Sequence, residues 1–322
     1  SDQPRENGHL SGCPFRFRPL DSAIPAPAKV VVTGARGFVG RAFTARLPAH
    51  DRISLSGEGW RAALARADLR GATVVHLAAR VHEPHGAAED FARDNTEKTR
   101  VLAEAAAAAG AARFVFASTL KVHGEETRGE PFRPDSPAAP ADPYAMSKWK
   151  AEEALRAISA STGLPVVVLR IPLTWGPGVG GNFRALLRLA DSGAWLPFAA
   201  LRARRSFVHA DDLAEALLLA SAHPAAPGRA FIAAHPVPVA TADLVRQVRA
   251  ALGRPARLFP VPAPALEAAA ALAGMGARMR RLTRALEADP TALMATLGWA
   301  PRVDFAAGLA ATVAALRREG AP

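Results

Sequence analysis

The sequence predicts an α/β fold, in which helices cover both faces of a doubly wound parallel β-sheet and a smaller C-terminal α/β domain follows. Three observations predict it. Apolar strand-like runs alternate with helical patterns, and the runs are nearly uninterrupted, as in strands that are buried on both faces. The alternation then stops at a loop rich in glycine and proline that begins at Pro172. A chain of 322 residues can bury the core that this architecture needs.

The predicted elements divide the chain into two domains. The sequence favours strands at residues 30–33, 74–77, 114–117 and 166–171, and helices at 97–109 and 147–159. We therefore expect an N-terminal extension over residues 1–28 and a first domain over 29–172, with a return segment near 206–222. The second domain is expected over 173–205 and 223–322.

Composition excludes several classes of function. The net charge of +11 comes from scattered arginines, and with a single tyrosine the chain has few stacking residues, so no nucleic-acid partner is expected. Cys13 is the only cysteine, which permits neither an internal disulfide nor a cysteine zinc site; we expect no metal and a cytoplasmic location. No run reaches about 18 apolar residues, so no membrane partner is expected.

A glycine loop directly follows the first predicted strand. Gly34, Gly37 and Gly40 are spaced three apart at the start of a helix, where glycines allow a tight turn and let a pyrophosphate approach backbone amides. Arg36, Phe38 and Val39 lie between them. The loop and its position in a βαβ pattern predict a Rossmann-type binding site for NAD or NADP.

The residues predicted to contact the adenosine ribose do not decide between NAD and NADP. An acid about 20 residues after the loop would bind the ribose hydroxyls of NAD, but Ser56 stands at that place. Without a carboxylate there, Arg36 could bind the 2′-phosphate of NADP, which favours NADP. In the alternative, Glu58 binds the ribose and Arg36 is a solvated loop residue.

Tyr144 and Lys148 form the candidate catalytic pair. Four residues apart after a proline that suits a helix start, they share one helix face. An ammonium beside a phenol favours the phenolate, so we expect the pKa of Tyr144 to be lowered. A strand ending in Ser118 and Thr119 could place a hydroxyl beside them. The three elements together predict catalysis.

These motifs resemble the extended short-chain dehydrogenase/reductases, the NAD-dependent epimerase/dehydratase family. The resemblance covers nearly everything from Lys29 onward and rests on residues 33–40, 75–79, 94–96, 116–124, 144–148, 205–213 and 297–299. It implies that Thr119 binds the sugar oxygen, Tyr144 is the acid/base and Lys148 is its partner. It also implies a homodimer built on the helices near 97–109 and 147–159.

The resemblance assigns further residues to the two ligands. Arg205 would grip the diphosphate of a nucleotide-activated sugar, and Asn182 would touch the same substrate. The residues implied to line the cofactor, besides the glycine loop, Ser56, Tyr144 and Lys148, are Leu77, Ala78, Ala79, Asn95, Ser118 and Ile171.

The sequence disfavours one reaction of the family and leaves two others open. Family dehydratases carry Asp-Glu after the active-site threonine, whereas this chain has Leu120 and Lys121, which disfavours dehydration. The segments 118–125 and 176–183 are similar to a bacterial subgroup of surface-polysaccharide synthesis. This favours reduction of a UDP-4-keto-6-deoxy-N-acetylhexosamine, with a UDP-glucose or UDP-N-acetylglucosamine 4-epimerase holding tightly bound NAD as the alternative. A non-catalytic NAD(P) sensor is a second alternative.

Overall fold

A computed structural model of the chain describes residues 26–81 and 86–319. Cys13 and most of the predicted N-terminal extension lie outside the described residues. The first half of the chain contains the following helices and strands: β1 Val30–Thr33, α1 Phe38–Thr44, β2 Asp51–Ile53, α2 Trp60–Ala65, β3 Thr73–His76, α3 Ala88–Phe91, α4 Lys98–Ala108, β4 Arg113–Thr119, α5 Pro143–Thr162 and β5 Val166–Ile171. The second half contains β6 Leu173–Trp175, α6 Gly181–Asp191, β7 Arg204–Arg205, β8 Phe207–His209, α7 Ala210–Ala222, β9 Arg229–Ile232, β10 Val239–Ala240, α8 Thr241–Ala251, α9 Ala263–Leu272, α10 Gly276–Thr283, α11 Thr291–Leu297 and α12 Phe305–Glu319.

A six-stranded parallel sheet in the order β2-β1-β3-β4-β5-β9 forms the centre of the molecule. Side chains alternate between its two faces. Val30 and Val32 pack with α7 on one face, whereas Val31 packs with α4 and α5 on the other. The predicted α/β class and doubly wound sheet are confirmed.

The strand and helix limits differ from the predicted ones by a few residues. Helix α5, which carries the predicted catalytic pair, begins at Pro143 rather than at residue 147, because Asp142 caps it: its Oδ1 accepts a hydrogen bond from Ala145 N at 2.6 Å. A π-helical segment, Ala92–Glu97, precedes α4. The structure also adds β9, which extends the central sheet from within the range assigned to the second domain. The division into two domains stays a prediction.

Further clusters of apolar side chains hold the remaining chain, and two of them involve the C-terminal helices. One joins Trp175 and Phe183 to α8 and α12, and the other joins Leu196 and Leu201 to α8 and α9. In the part of the chain that the structure describes, no helix is long and apolar enough to cross a bilayer.

Candidate active site

The glycine loop lies against the loop that follows β3. Gly34 has φ 72°, and a Cβ added to it would lie 2.5 Å from Ala78 N and 2.7 Å from the carbonyl carbon of Leu77. A Cβ at Gly40 would collide with the carbonyl oxygen of Gly34. Only glycine therefore allows α1, the loop and the β3 end to meet this closely.

This cradle suits a dinucleotide. The turn is closed by a hydrogen bond from Gly37 N to Gly34 O at 2.9 Å, and the first amides of α1, at Phe38 and Val39, have no partner within the helix. Backbone amides at a helix N-terminus bind pyrophosphate well. The donor set fits NAD or NADP.

The predicted adenosine-side residues are exposed and make no bond to one another. β2 ends at Ile53, and Ser56, Glu58 and the Arg36 side chain all lie in solvent. No acid ends β2, as the sequence indicated. The choice between NAD and NADP stays a prediction at this position.

Asn95 holds the β3 loop to the catalytic helix. Its Oδ1 accepts a hydrogen bond from Arg80 N at 2.7 Å, while its Nδ2 donates to Arg80 O at 3.1 Å and to Ser147 Oγ at 2.9 Å. Ser147 Oγ in turn donates to Tyr144 O at 2.7 Å. Both polar atoms of the Asn95 amide are thus hydrogen-bonded within the protein. Asn95 therefore positions the segment Leu77, Ala78 and Ala79, which lies against the glycine loop.

A buried chain of hydrogen bonds lies behind residues 77–79. The sequence assigned no role to its side chains. Thr99 donates to Asn95 O at 2.5 Å, so its oxygen accepts from His76 Nε2 at 2.8 Å. His76 Nδ1 then accepts from Thr33 Oγ1 at 2.6 Å, and Ala78 N lies 3.4 Å from that oxygen. One neutral tautomer of His76 satisfies every bond, and burial lowers its pKa to about 3.

The predicted catalytic hydroxyls meet at the carboxyl end of β4. Thr119 is the last residue of β4 and pairs with Ile171 in the sheet, and its hydroxyl lies near enough to that of Tyr144 to have a hydrogen-bonding effect on the Tyr144 pKa. The Oγ1 of Thr119 also accepts from Lys121 N at 3.3 Å. Lys148 lies one turn beyond Tyr144 in α5, is 2% exposed, and places its Nζ 4.0 Å from the centre of the Phe116 ring.

The expected lowering of the Tyr144 pKa is wrong for this structure. Burial raises the pKa of Tyr144 to about 12, and this outweighs the opposite effect of the Thr119 hydrogen bond. Burial also lowers the pKa of Lys148 to about 7, against an upward effect of Glu152. Tyr144 is therefore protonated at neutral pH, and only part of the Lys148 population is charged.

A second buried network supports the same helix. Ser118 Oγ donates to Glu152 Oε1 at 2.5 Å, and Arg170 Nη2 lies 2.7 Å from Glu152 Oε2. Arg170 Nη1 donates to His123 Nε2 at 2.9 Å. Ser118 therefore joins β4 to α5 and β5.

Two arginines lie together near Asn182, where the sequence predicts substrate binding. Arg205 donates to Arg284 O at 3.0 Å, and burial lowers its pKa to about 10, with a further lowering by the nearby Arg281. Arg281 donates to Asn182 Oδ1 at 3.5 Å, and no carboxylate of the described residues pairs with Arg205 or Arg281. The sequence missed Arg281, whose only signal is the basic run 278–284. This arrangement suits a diphosphate.

The two positions at which family dehydratases have an acid and a base hold side chains that cannot catalyse elimination of water. Leu120 is fully buried. Lys121 forms ion pairs with Asp142 and, at 2.9 Å, with Glu125 Oε1. Neither side chain is a free acid or base for removing water. Among the described residues, no group of three histidine, cysteine or acidic side chains could hold a metal.

Comparison with known proteins agrees with this geometry. The model of the NAD dependent epimerase/dehydratase family matches residues 30–234. A UDP-glucose 4-epimerase of Vibrio cholerae is 36% identical over 71% of this chain and 71% of its own. A dTDP-6-deoxy-L-talose 4-dehydrogenase (NAD(P)(+)) of Kitasatospora kifunensis is 32% identical over 86% of this chain and 92% of its own. The solved dTDP-glucose 4,6-dehydratase of Streptomyces venezuelae, with NAD bound, is 26% identical with a TM-score of 0.70, covering 90% of this chain and 97% of its own.

Proposed function

Since the chain belongs to the NAD-dependent epimerase/dehydratase family of enzymes, we propose that it reduces the C4 keto group of a UDP-4-keto-6-deoxy-N-acetylhexosamine with NADPH. Enzymes of this family exchange a hydride between a bound nicotinamide and a sugar carbon. The finer assignment rests on the protonation state of the site and on which acids and bases are present.

The pair of hydroxyls at Thr119 and Tyr144 is the observation that carries the proposal. Reduction creates negative charge on the C4 oxygen, so it needs a hydrogen-bond donor and a proton donor there. Tyr144, with its pKa raised to about 12, enters the reaction with its proton. Thr119 Oγ1 is already fixed by the Lys121 amide, so its own hydrogen can point to the sugar oxygen.

Lys148 has two roles in this scheme. Its pKa of about 7 lets it pass a proton toward Tyr144 near neutral pH, and it lies on the same helix face. As an ammonium it also favours the negative charge that Tyr144 carries after proton transfer. When bound, the nicotinamide supplies the hydride.

The two substrate-side arginines would hold the nucleotide diphosphate. Arg205 and Arg281 bring two positive charges together, and Asn182 adds an amide beside them. No carboxylate of the described residues forms an ion pair with either arginine, and the charge of Glu125 offsets that of Arg205 only in part, so the two arginines repel each other until a dianion lies between them. We therefore expect Arg281→Gln to raise the KM for the sugar nucleotide and leave the cofactor Kd unchanged.

A 4-epimerase is the second candidate, favoured by the 36% identity to the UDP-glucose 4-epimerase of Vibrio cholerae. It would use the same three residues, but its first step removes a proton from the C4 hydroxyl. Tyr144 would then have to start as a phenolate. A non-catalytic sensor, the third candidate, would need none of the hydroxyl geometry at Thr119 and Tyr144.

The test begins with the cofactor content of freshly purified protein, released by denaturation and identified by mass spectrometry. We expect little bound dinucleotide, followed by NADPH oxidation when a UDP-4-keto-6-deoxy-N-acetylhexosamine is added. Deuterium from 4-deuterated NADPH should appear at C4 of the product. Stoichiometric NAD in the purified protein, with interconversion of UDP-glucose or UDP-N-acetylglucosamine and their C4 epimers, would instead establish the epimerase.

The cofactor preference has its own test. If Arg36 binds the 2′-phosphate, Arg36→Gln should raise the KM for NADPH and leave that for NADH unchanged. Equal effects on the two cofactors would contradict the preference for NADP.

A further inference from the structure

The α9–α10 hairpin, residues 263–284, exposes apolar side chains at its tip. Glu267 is the only charged residue of α9, yet only Leu266 and Ala270 of this helix are buried. Leu272 at its end is 93% exposed, and Met275 in the turn is 48% exposed. A helix that is apolar on all sides is normally covered by other atoms.

The hairpin is nevertheless fixed to the protein. Leu266 packs with Leu196, Leu201 and Val245, and Met279 and Leu282 of α10 lie against the same cluster. The part of the hairpin near Leu266 and Leu282 is therefore packed against the protein, whereas the tip at Leu272 projects from it.

Charge identifies the kind of surface that would cover the tip. The hairpin contains four arginines and one glutamate, a net charge of +3. Glu267 is already paired, with Arg284 Nη2 at 3.1 Å. Arg278 and Arg280 are exposed and form no ion pair within the described ranges 26–81 and 86–319. Such a hairpin would repel a second copy of itself and attract an anionic surface.

We propose that the α9–α10 hairpin docks the enzyme on an anionic lipid bilayer. Leu272 and Met275 enter the boundary between headgroups and acyl chains, while Arg278 and Arg280 contact lipid phosphates. Docking is peripheral and reversible, and it needs no spanning helix. The proposal departs from the sequence-based expectation of no membrane partner, which rested on the lack of a long apolar run, and it is independent of which reaction the active site performs.

The docked hairpin also orients the site. Arg281, which touches Asn182 on the substrate side, belongs to the same helix as Arg278 and Arg280. Docking therefore brings Arg281 and Asn182 close to the bilayer surface, and this point alone rests on the proposed function, in which they bind the sugar nucleotide.

The test is co-sedimentation of the full chain with vesicles of phosphatidylcholine alone and with vesicles containing about one-third phosphatidylglycerol. We expect binding to the anionic vesicles that weakens as salt is raised. The Arg278→Gln/Arg280→Gln variant should bind about 30-fold more weakly, because each arginine near an anionic surface contributes about fivefold. Leu272→Gln should bind on the order of tenfold more weakly at every salt concentration.

The matched control is Arg66→Gln/Arg318→Gln, which removes two exposed, unpaired arginines at other places in the described chain. It keeps the same net charge as the hairpin variant and should bind like the unmodified protein. Equal binding to neutral and anionic vesicles, or equal loss in the hairpin and control variants, would overturn the proposal. A dimer in sedimentation velocity that Leu272→Gln dissociates would also overturn it, because a second copy would then cover the tip. Circular dichroism checks that each variant is folded.

Discussion

Replacing Glu152 by Gln tests whether the buried network behind Lys148 depends on charge. The carboxylate is 2% exposed, accepts from Ser118 Oγ and pairs with Arg170, whose side chain is 6% exposed. Gln keeps the shape and can still accept from Ser118. Its amide nitrogen, however, faces the Arg170 Nη2 donor, and the guanidinium loses its counter-charge.

The expected cost follows from burial. Breaking a buried ion pair by neutralising one partner costs about 3–5 kcal/mol, because the other charge stays buried and unpaired. An exposed helical pair contributes only about 0.3–0.5 kcal/mol. Arg100 and Glu104, 42% and 48% exposed with Nη1–Oε1 at 2.5 Å, form such a pair. Glu104→Gln is therefore the matched control.

Urea denaturation at pH 7 measures both variants. We expect Glu152→Gln to lower the free energy of unfolding several-fold more than Glu104→Gln does. Adding Arg170→Gln to Glu152→Gln should then cost less than it does in the unmodified protein, because that charge is already unpaired. A loss below about 1 kcal/mol for Glu152→Gln would refute the reasoning, since it would mean that water screens the pair.

Three further predictions concern the active site. Tyr144→Phe should lower turnover by about 10²–10⁴-fold and leave the cofactor Kd unchanged in a fluorescence titration; unaltered turnover would rule out Tyr144 as the acid. Gly34→Ala and Gly253→Ala place alanine at φ 72° and 70°, but only the first puts its Cβ 2.5 Å from Ala78 N, so only the first should weaken cofactor binding by more than tenfold. Burial lowers the pKa of Lys148 to about 7 in the folded protein. Between about pH 7 and 10.5 the folded state therefore binds fewer protons than the unfolded state, and the free energy of unfolding rises with pH through that window. Lys148→Met should remove this rise, at most about 1.4 kcal/mol per pH unit, in denaturation at pH 7 and pH 9.5; identical slopes would contradict the shift.

The sequence was sufficient where function depends on neighbouring residues. The glycine spacing after β1, the four-residue step from Tyr144 to Lys148, and the hydroxyl at the end of β4 are local patterns, because backbone turns and helix faces are set within a few residues. The limits of β1 and β5 were predicted correctly for the same reason, since each is a short apolar run with clear ends.

Distant contacts and burial were decided only by the tertiary structure. Arg281 meets Asn182 across 99 residues of chain, and His76 joins Thr33 to Thr99; no local pattern encodes either contact. The pKa of Tyr144 moved opposite to the sequence-based expectation, because a spacing of four residues fixes which side chains are neighbours but not how much water reaches them. The sequence by itself thus determined the sheet, the glycine loop and the candidate catalytic residues, whereas the ionisation of the candidate site, its second arginine and the exposed tip at Leu272 depend on packing that brings remote segments together.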